Sequence, residues 1–427
     1  MGRAMKDSGV EWIGEIPEEW NLGRIGEIYA ERKIKVSDTE YPPLSVTMKG
    51  IVPQLSTAAK TDAHDDRKLV CKGDFAINSR SDRRGSCGIS SYDGSVSLIN
   101  TILRPRKDMN PRYYNWLFHT SMFADEFYKW GHGIVDDLWT TNWQDMKNIF
   151  IPIPSANEQQ IIASFLDGLC AQIDSVLEKT RSTIEEYKLL RQTVITQAVT
   201  KGVRGERLMK DRGIAWLKSI PSTWKIVPIK YFIDILAGYA FSSDDFDTNT
   251  GIPLLRGVNV TPKGIRWNDV VFWNKNVDEQ LEPYMLRAGD LVLGLDRPWI
   301  SEGTRISWVS EKDIPSLLLQ RVCRIRAKDG ILPAWIYYWL SNPLFMETLL
   351  TDTTGISVPH ISTGQVGNFL ISLPSIQEQK EIVVYLDEKC IEIDALITQK
   401  KQLLTELENY KKSLIYEYVT GKKEVPS

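Results

Sequence analysis

The chain has 427 residues and a mass of 48.8 kDa, longer than one hydrophobic core usually organises, so two or more domains are expected. Its 42% hydrophobic and 25% charged content excludes wholesale disorder, and no uninterrupted apolar run of roughly 18 residues is present to cross a bilayer. A formal net charge of -3 withholds the overall basic excess of a typical nucleic-acid binder, so local charge has to carry any such role.

The first ten residues, Met1 to Val10, are polar with no apolar signal-peptide core, and the expectation is a cytoplasmic protein without a membrane partner. Met5 to Trp20 then reads MKDSGVEWIGEIPEEW, and this segment returns as MKDRGIAWLKSIPSTW from Met209 to Trp224. The chain is therefore an internal duplication, and repeats of this kind set the architecture before any local element does. Trp12, Trp20, Trp216 and Trp224 fall in the repeated frames and are expected to anchor packing.

Between Asn21 and Lys147, β-branched and apolar runs alternate with Gly, Pro and Asp turns, followed by a helical aromatic segment from Arg112 to Trp130. A second repeated frame begins at Asn148 with NIFIPIPSANEQQIIASFLDGLCAQID and is matched from Asn368 by NFLISLPSIQEQKEIVVYLDEKCIEID. Ser155 with Glu158, and Ser375 with Glu378, have the spacing of a capping box at a helix start. Apolar residues then recur in steps of three and four: Ile162, Leu166, Leu169, Ile173 and Val176, continued by Tyr187, Leu190, Val194 and Ala198.

The second interior, Lys225 to Gly367, has the same order, with strands expected at Gly289 to Leu295 and Leu318 to Arg326 and a helix from Ala334 to Leu350. Its closing helix carries Ile382, Leu386, Ile393, Leu396, Leu403, Leu407, Tyr410, Leu414 and Tyr418. Each rod of about 40 residues would run roughly 60 Å, and the two are expected to pack antiparallel. The fold class is mixed α/β. Two globular recognition segments, 1–154 and 205–374, are joined by coiled-coil helices over 155–204 and 375–427, in a pseudo-twofold repeat.

The interiors match poorly apart from echoes such as LysGlyAsp at Lys72 to Asp74 against AlaGlyAsp at Ala288 to Asp290. Like frames around unlike interiors suit two equivalent docking surfaces and two different recognition surfaces. Arg80, Arg83 and Arg84 lie in SRSDRRGSCG, while Arg256, Lys263, Arg266, Arg297 and Arg305 lie in turn-rich parts of the second interior. Arginine forks read guanine edges, and Lys and Arg neutralise phosphates, so these eight are the DNA-binding candidates. Asn78, Asn259 and Gln54 are further residues of a type that reads adenine.

Catalytic and metal motifs are not found. Cys71, Cys87, Cys170, Cys323 and Cys390 form no CxxC pair, four histidines give no zinc spacing, and buried free thiols are expected. There is no P-loop, HExxH or nucleophile elbow. Asn342 to Phe345, NPLF, resembles the NPPF-type loop of amino-methyltransferases, but no Gly-rich cofactor motif accompanies it and it reads as a helix-initiating Asn-Pro.

The frames GVEWIGEIPEEW and GIAWLKSIPSTW, with IPSANEQQIIASFLD and LPSIQEQKEIVVYLD before helices ending in AVTKG and YVTGK, resemble the specificity subunit of Type I restriction-modification enzymes. The resemblance implies two target-recognition domains, each reading half of a split site in double-stranded DNA. It implies as partners two adenine-methylating modification subunits and restriction subunits with motor and nuclease activity. Cofactors would belong to those partners: S-adenosylmethionine, ATP and Mg, with none in this chain. A stand-alone methyltransferase or nuclease, and a coiled-coil scaffold that never touches DNA, are the alternatives.

Overall fold

The computed structural model describes residues 3–54, 64–106, 109–133, 139–214, 216–350 and 360–426. They form two compact units: Met1–Ser182 with Lys401–Ser427, and Thr183–Lys400. The boundary falls inside both long helices, Ala156–Lys201 of 46 residues and Ile376–Val419 of 44.

In the first unit a hairpin, Met5–Asp7 with Glu15–Pro17, precedes Asn21–Arg24, which pairs antiparallel with Phe150–Ile153 and so closes the two ends of the globular segment. Within lies an antiparallel sheet in the order Cys87–Ile89, Phe75–Asn78, Asn100–Pro105, Tyr29–Glu31. The aromatic segment is two helices, Pro111–Phe118 and Ser121–Lys129, because the Thr120 hydroxyl donates to Leu117 O and accepts from Phe123 N, ending one helix and capping the next. Tyr113, Tyr114, Phe118, Phe123 and Phe127 are buried in a core shared with Tyr29 and Phe75.

The second unit repeats this plan. Met209–Asp211 pairs with Ser219–Pro221, and Lys225–Pro228 with Leu370–Leu373. Its sheet runs Ile306–Trp308, Leu291–Gly294, Val322–Ala327, Ile233–Ala237, the same order as in the first unit. The run expected as one strand from Leu318 to Arg326 is broken at Arg321, whose φ of +68° interrupts extended backbone; Leu317–Leu318 pairs instead with Ile252–Leu255. The expected helix from Ala334 is likewise two, Pro333–Leu340 and Pro343–Leu350. Asn342 is buried between them and its side chain accepts from Leu344 N, starting the second helix.

The long helices pack antiparallel within each unit. In the first, Lys411 pairs with Asp174 at 2.6 Å and Arg181 with Glu408 at 2.7 Å, flanking a core that holds Ile162, Leu166, Ile173, Leu177, Leu414 and Tyr418, with Leu169 and Leu407 partly buried. In the second, Ile195, Ala198 and Val199 share a core with Ile382 and Leu386, and Ile393 is buried alongside. Leu403 is half-buried. The expected register drifts: Val176, Leu190 and Tyr410 are exposed, while Leu177, Ile184 and Ile397 are buried. A straight helix of 3.6 residues per turn departs by about 20° per heptad from a 3.5-residue stripe, which moves the seam by one position.

Both capping serines act, with Ser155 accepting from Glu158 N and Ser375 from Glu378 N, each at 3.3 Å. The two glutamates do not complete a capping box; their carboxylates turn to Trp20 and Trp224. Trp12, Trp20 and Trp224 are buried, and Trp216 stacks on Phe369. Cys87, Cys170, Cys323 and Cys390 are buried free thiols; burial pushes Cys170 up to about 11 and Cys323 to about 12, which keeps both protonated and unreactive. Cys71 is half-buried.

Candidate nucleic-acid interface

In each unit the connection between the first two sheet strands, 79–86 or 295–305, meets the segment that precedes a short helix. In the first unit Thr141 N donates to Ser79 O at 3.0 Å and Arg80 forms a backbone bridge with Thr140. In the second, Ile361 N donates to Leu295 O at 2.9 Å and Asp296 bridges His360. Two segments far apart in sequence are thereby fixed side by side at one end of each sheet. The backbone plan is shared and the side chains on it are not.

The first connection is basic. Asn78 accepts from Arg80 N, Ser81–Arg83 makes a single 3-10 turn, and Gly85 at φ +72° supplies the left-handed residue that returns the chain to the sheet. Arg83 is exposed, 3.8 Å from Asp82. Arg84 pairs with Asp125 at 2.9 Å and lies over the Tyr128 ring, 5.2 Å from its centroid. That ion pair is open to solvent on both sides, and such pairs contribute about 0–1 kcal/mol, so Asp125 holds Arg84 only weakly.

The second connection is organised by a carboxylate. Asp296 accepts from Arg321 Nη1 and contacts His360 Nδ1, each at 2.5 Å. Burial opposes its ionisation, but the Arg321 and His360 hydrogen bonds prevail and hold the carboxyl below its usual range. Arg297, exposed beside it, has φ +43°, and Arg321 has φ +68°. Two arginines in a conformation costly for non-glycine residues thus flank one aspartate, the kind of local strain that collects at binding sites. Arg321 and His360 were not singled out by sequence; no local pattern marks them, because their common partner lies 25 and 64 residues away.

The remaining candidates of the second unit have different roles. Lys263, at a hairpin tip, pairs with Glu302 of the same connection at 3.0 Å. Arg305 points inward: its guanidinium donates to Val260 O and Gly257 O, and burial lowers its pKa, so it braces the backbone beneath the site. Arg256 donates to Asp269 O, and Arg266 is exposed. Asn259 is fully buried with its amide donating to Arg266 O and Asn268 O, and Asn78 is buried as well, so both serve the fold. Gln54 is half-buried. Among the described residues no three His, Cys, Asp or Glu side chains gather as a metal site.

The type I restriction modification DNA specificity domain matches residues 17–186 and 221–409. The chain belongs to that family. It is 27% identical over 421 residues to the specificity subunit of the type I restriction enzyme MjaVIII of Methanocaldococcus jannaschii, covering 95% of this chain and 93% of that one. The EcoAI specificity subunit of Escherichia coli is 32% identical over 187 residues, 43% of this chain and 31% of that protein. Among solved structures, a chain from work on complex assembly and conformational transition of the type I R-M system superposes with a TM-score of 0.74 at 15% identity, over 96% of this chain and 99% of that one. The HsdS subunit from Thermoanaerobacter tengcongensis gives 0.53 at 17% identity, over 98% and 100%. These likenesses concern the fold.

Proposed function

We infer that this chain is the DNA sequence-specificity subunit of a type I restriction-modification complex, itself non-catalytic, whose two units read the two halves of an asymmetric bipartite site in double-stranded DNA. The observation that carries this reading is the repeated sheet with its repeated backbone bridge, presenting Arg80, Arg83 and Arg84 in one unit and Asp296, Arg297, Arg321 and His360 in the other. Equal scaffolds with unequal readers suit a site whose halves differ in sequence. Two modest readers in one chain also raise each other's effective concentration, which makes half-site spacing part of the specificity.

Two modification subunits dock on the duplicated frames and methylate adenine with S-adenosylmethionine, and restriction subunits bring ATP- and Mg-dependent cleavage to the same cytoplasmic assembly. Like frames support like docking, since equivalent surfaces accept identical partners. The test is methylation mapping of genomic DNA from cells that express the chain with its modification subunit, against cells without the chain. N6-methyladenine in a split, asymmetric, chain-dependent motif is the expected result. An assembled complex with no chain-dependent motif refutes the reading.

A further inference from the structure

Val46 to Ile51 reads VTMKGI and Val260 to Ile265 reads VTPKGI, five of six residues identical inside interiors that otherwise diverge. Both form the same hairpin, Leu44–Thr47 with Gly50–Pro53 and Val260–Thr261 with Gly264–Ile265. In each, the threonine hydroxyl donates to the glycine carbonyl at 2.8 Å and accepts from the lysine N–H, at 3.1 Å for Lys49 and 3.3 Å for Lys263. Gly50 and Gly264 take φ of +101° and +127°, and the flanking Val and Ile are buried. Each hairpin rests on the middle of the strand that leaves the recognition connection. Gly50 packs against Gly88 closely enough that a Cβ there would meet its Cα at 2.8 Å, and the Ser307 hydroxyl donates to Thr261 O.

Turn geometry and burial account for the valine, threonine, glycine and isoleucine. They do not account for the lysine, which is exposed at the tip in both units, beside a position where Met48 and Pro262 have diverged. An exposed group kept alike in two readers answers to something their unlike half-sites have in common, and that is the sugar-phosphate backbone. We propose that Lys49 and Lys263 are equivalent phosphate clamps that set each unit's register on the duplex without reading sequence. The proposal rests on the chain being a DNA-specificity subunit. Glu302 holds Lys263 in the free protein and gives way to phosphate on binding.

The test measures affinity against salt concentration for the full chain assembled with its modification subunits, on a duplex carrying the mapped methylation motif. Lys49→Gln and Lys263→Gln should each flatten the log-log slope by about 0.9, and together by about 1.8, with the methylated motif unchanged. Lys49→Arg should keep the slope, and Glu302→Gln should tighten binding. Unchanged slopes in folded, assembled variants, or a shifted base preference at either half-site, overturn the clamp. A wild-type complex that does not bind this duplex would remove the specificity reading itself, and the clamp with it.

Discussion

Trp20 donates its indole N–H to Glu158 at 2.8 Å, and the relationship recurs one repeat later, where Trp224 donates to Glu378 at 3.0 Å. Arg3 and Arg207 complete the two sets, each paired with the glutamate and lying over the indole, at 5.5 and 5.1 Å from the ring centroids. A frame residue, a helix-start residue and an arginine are thereby tied together at the first turn of each long helix. Trp224→Phe leaves a buried carboxylate short of a donor and should cost about 1–3 kcal/mol. Glu378→Ala removes the partner of both Trp224 and Arg207 and should cost about 3–5 kcal/mol. Hydrogen exchange should show the loss concentrated in the second unit; equal loosening of the first would contradict the assignment.

Recognition should be separable by unit. Asp296→Ala releases Arg321 and His360, so the second unit's half-site should lose discrimination by about 1–3 kcal/mol while the other half of the methylated motif stays intact. Arg84→Ala should act on the complementary half with little change in melting temperature, since its ion pair is exposed. Methylation mapping of the two variants checks both, and the same base positions changing in each would count against separate readers.

His119 gives the first unit an acid sensitivity. Burial lowers its pKa, against backbone hydrogen bonds that raise it, so the folded chain binds its proton less readily than the unfolded chain. Above about pH 6.5 both states are neutral and nothing is lost; below that the unfolded state is protonated first, and stability falls until the folded pKa is passed. The first unit should therefore weaken as the pH falls below about 6.5, and His119→Gln should flatten that dependence. Denaturant titrations at a series of pH values, followed by exchange at 111–129, decide it.

Gly421 ends the second long helix at φ +73°, where an added Cβ would stand 2.4 Å from Pro17 Cδ and 3.0 Å from Trp20. Gly421→Ala should cost about 1–3 kcal/mol through strain and overpacking combined. The substitution is remote from position 17 in sequence, yet proteolysis should begin in the first unit. A variant as stable as the parent would show that the helix end can shift away from Trp20.

The duplication, the two helices and the frame tryptophans were legible because they rest on repetition and periodicity, which a sequence displays directly. The seam was legible only to within a residue, as Val176 and Leu177 show, because one-residue phase depends on the partner helix. The arginines were the least legible. Arg297 and Arg305 sit eight residues apart in similar turn-rich sequence, yet one is exposed and the other is held by carbonyls of Gly257 and Val260, about 45 residues upstream. The lysine hairpins were readable, but five shared residues are lost in a comparison made over whole interiors.

The second unit is one unbroken stretch, Thr183–Lys400, whereas the first is completed by Lys401–Ser427. Tyr113 donates to Val419 O at 2.6 Å, and Tyr416 to the carbonyls of Trp12 and Ile13, so segments that stand on either side of the second unit in the sequence share one core. All residues of the second unit therefore precede the segment that completes the first, the opposite of the arrangement in which an N-terminal domain can finish before the rest is made. A chain broken between the two units' segments, before Lys401, would keep every residue of the second unit and leave the first without the helix turns that complete its core.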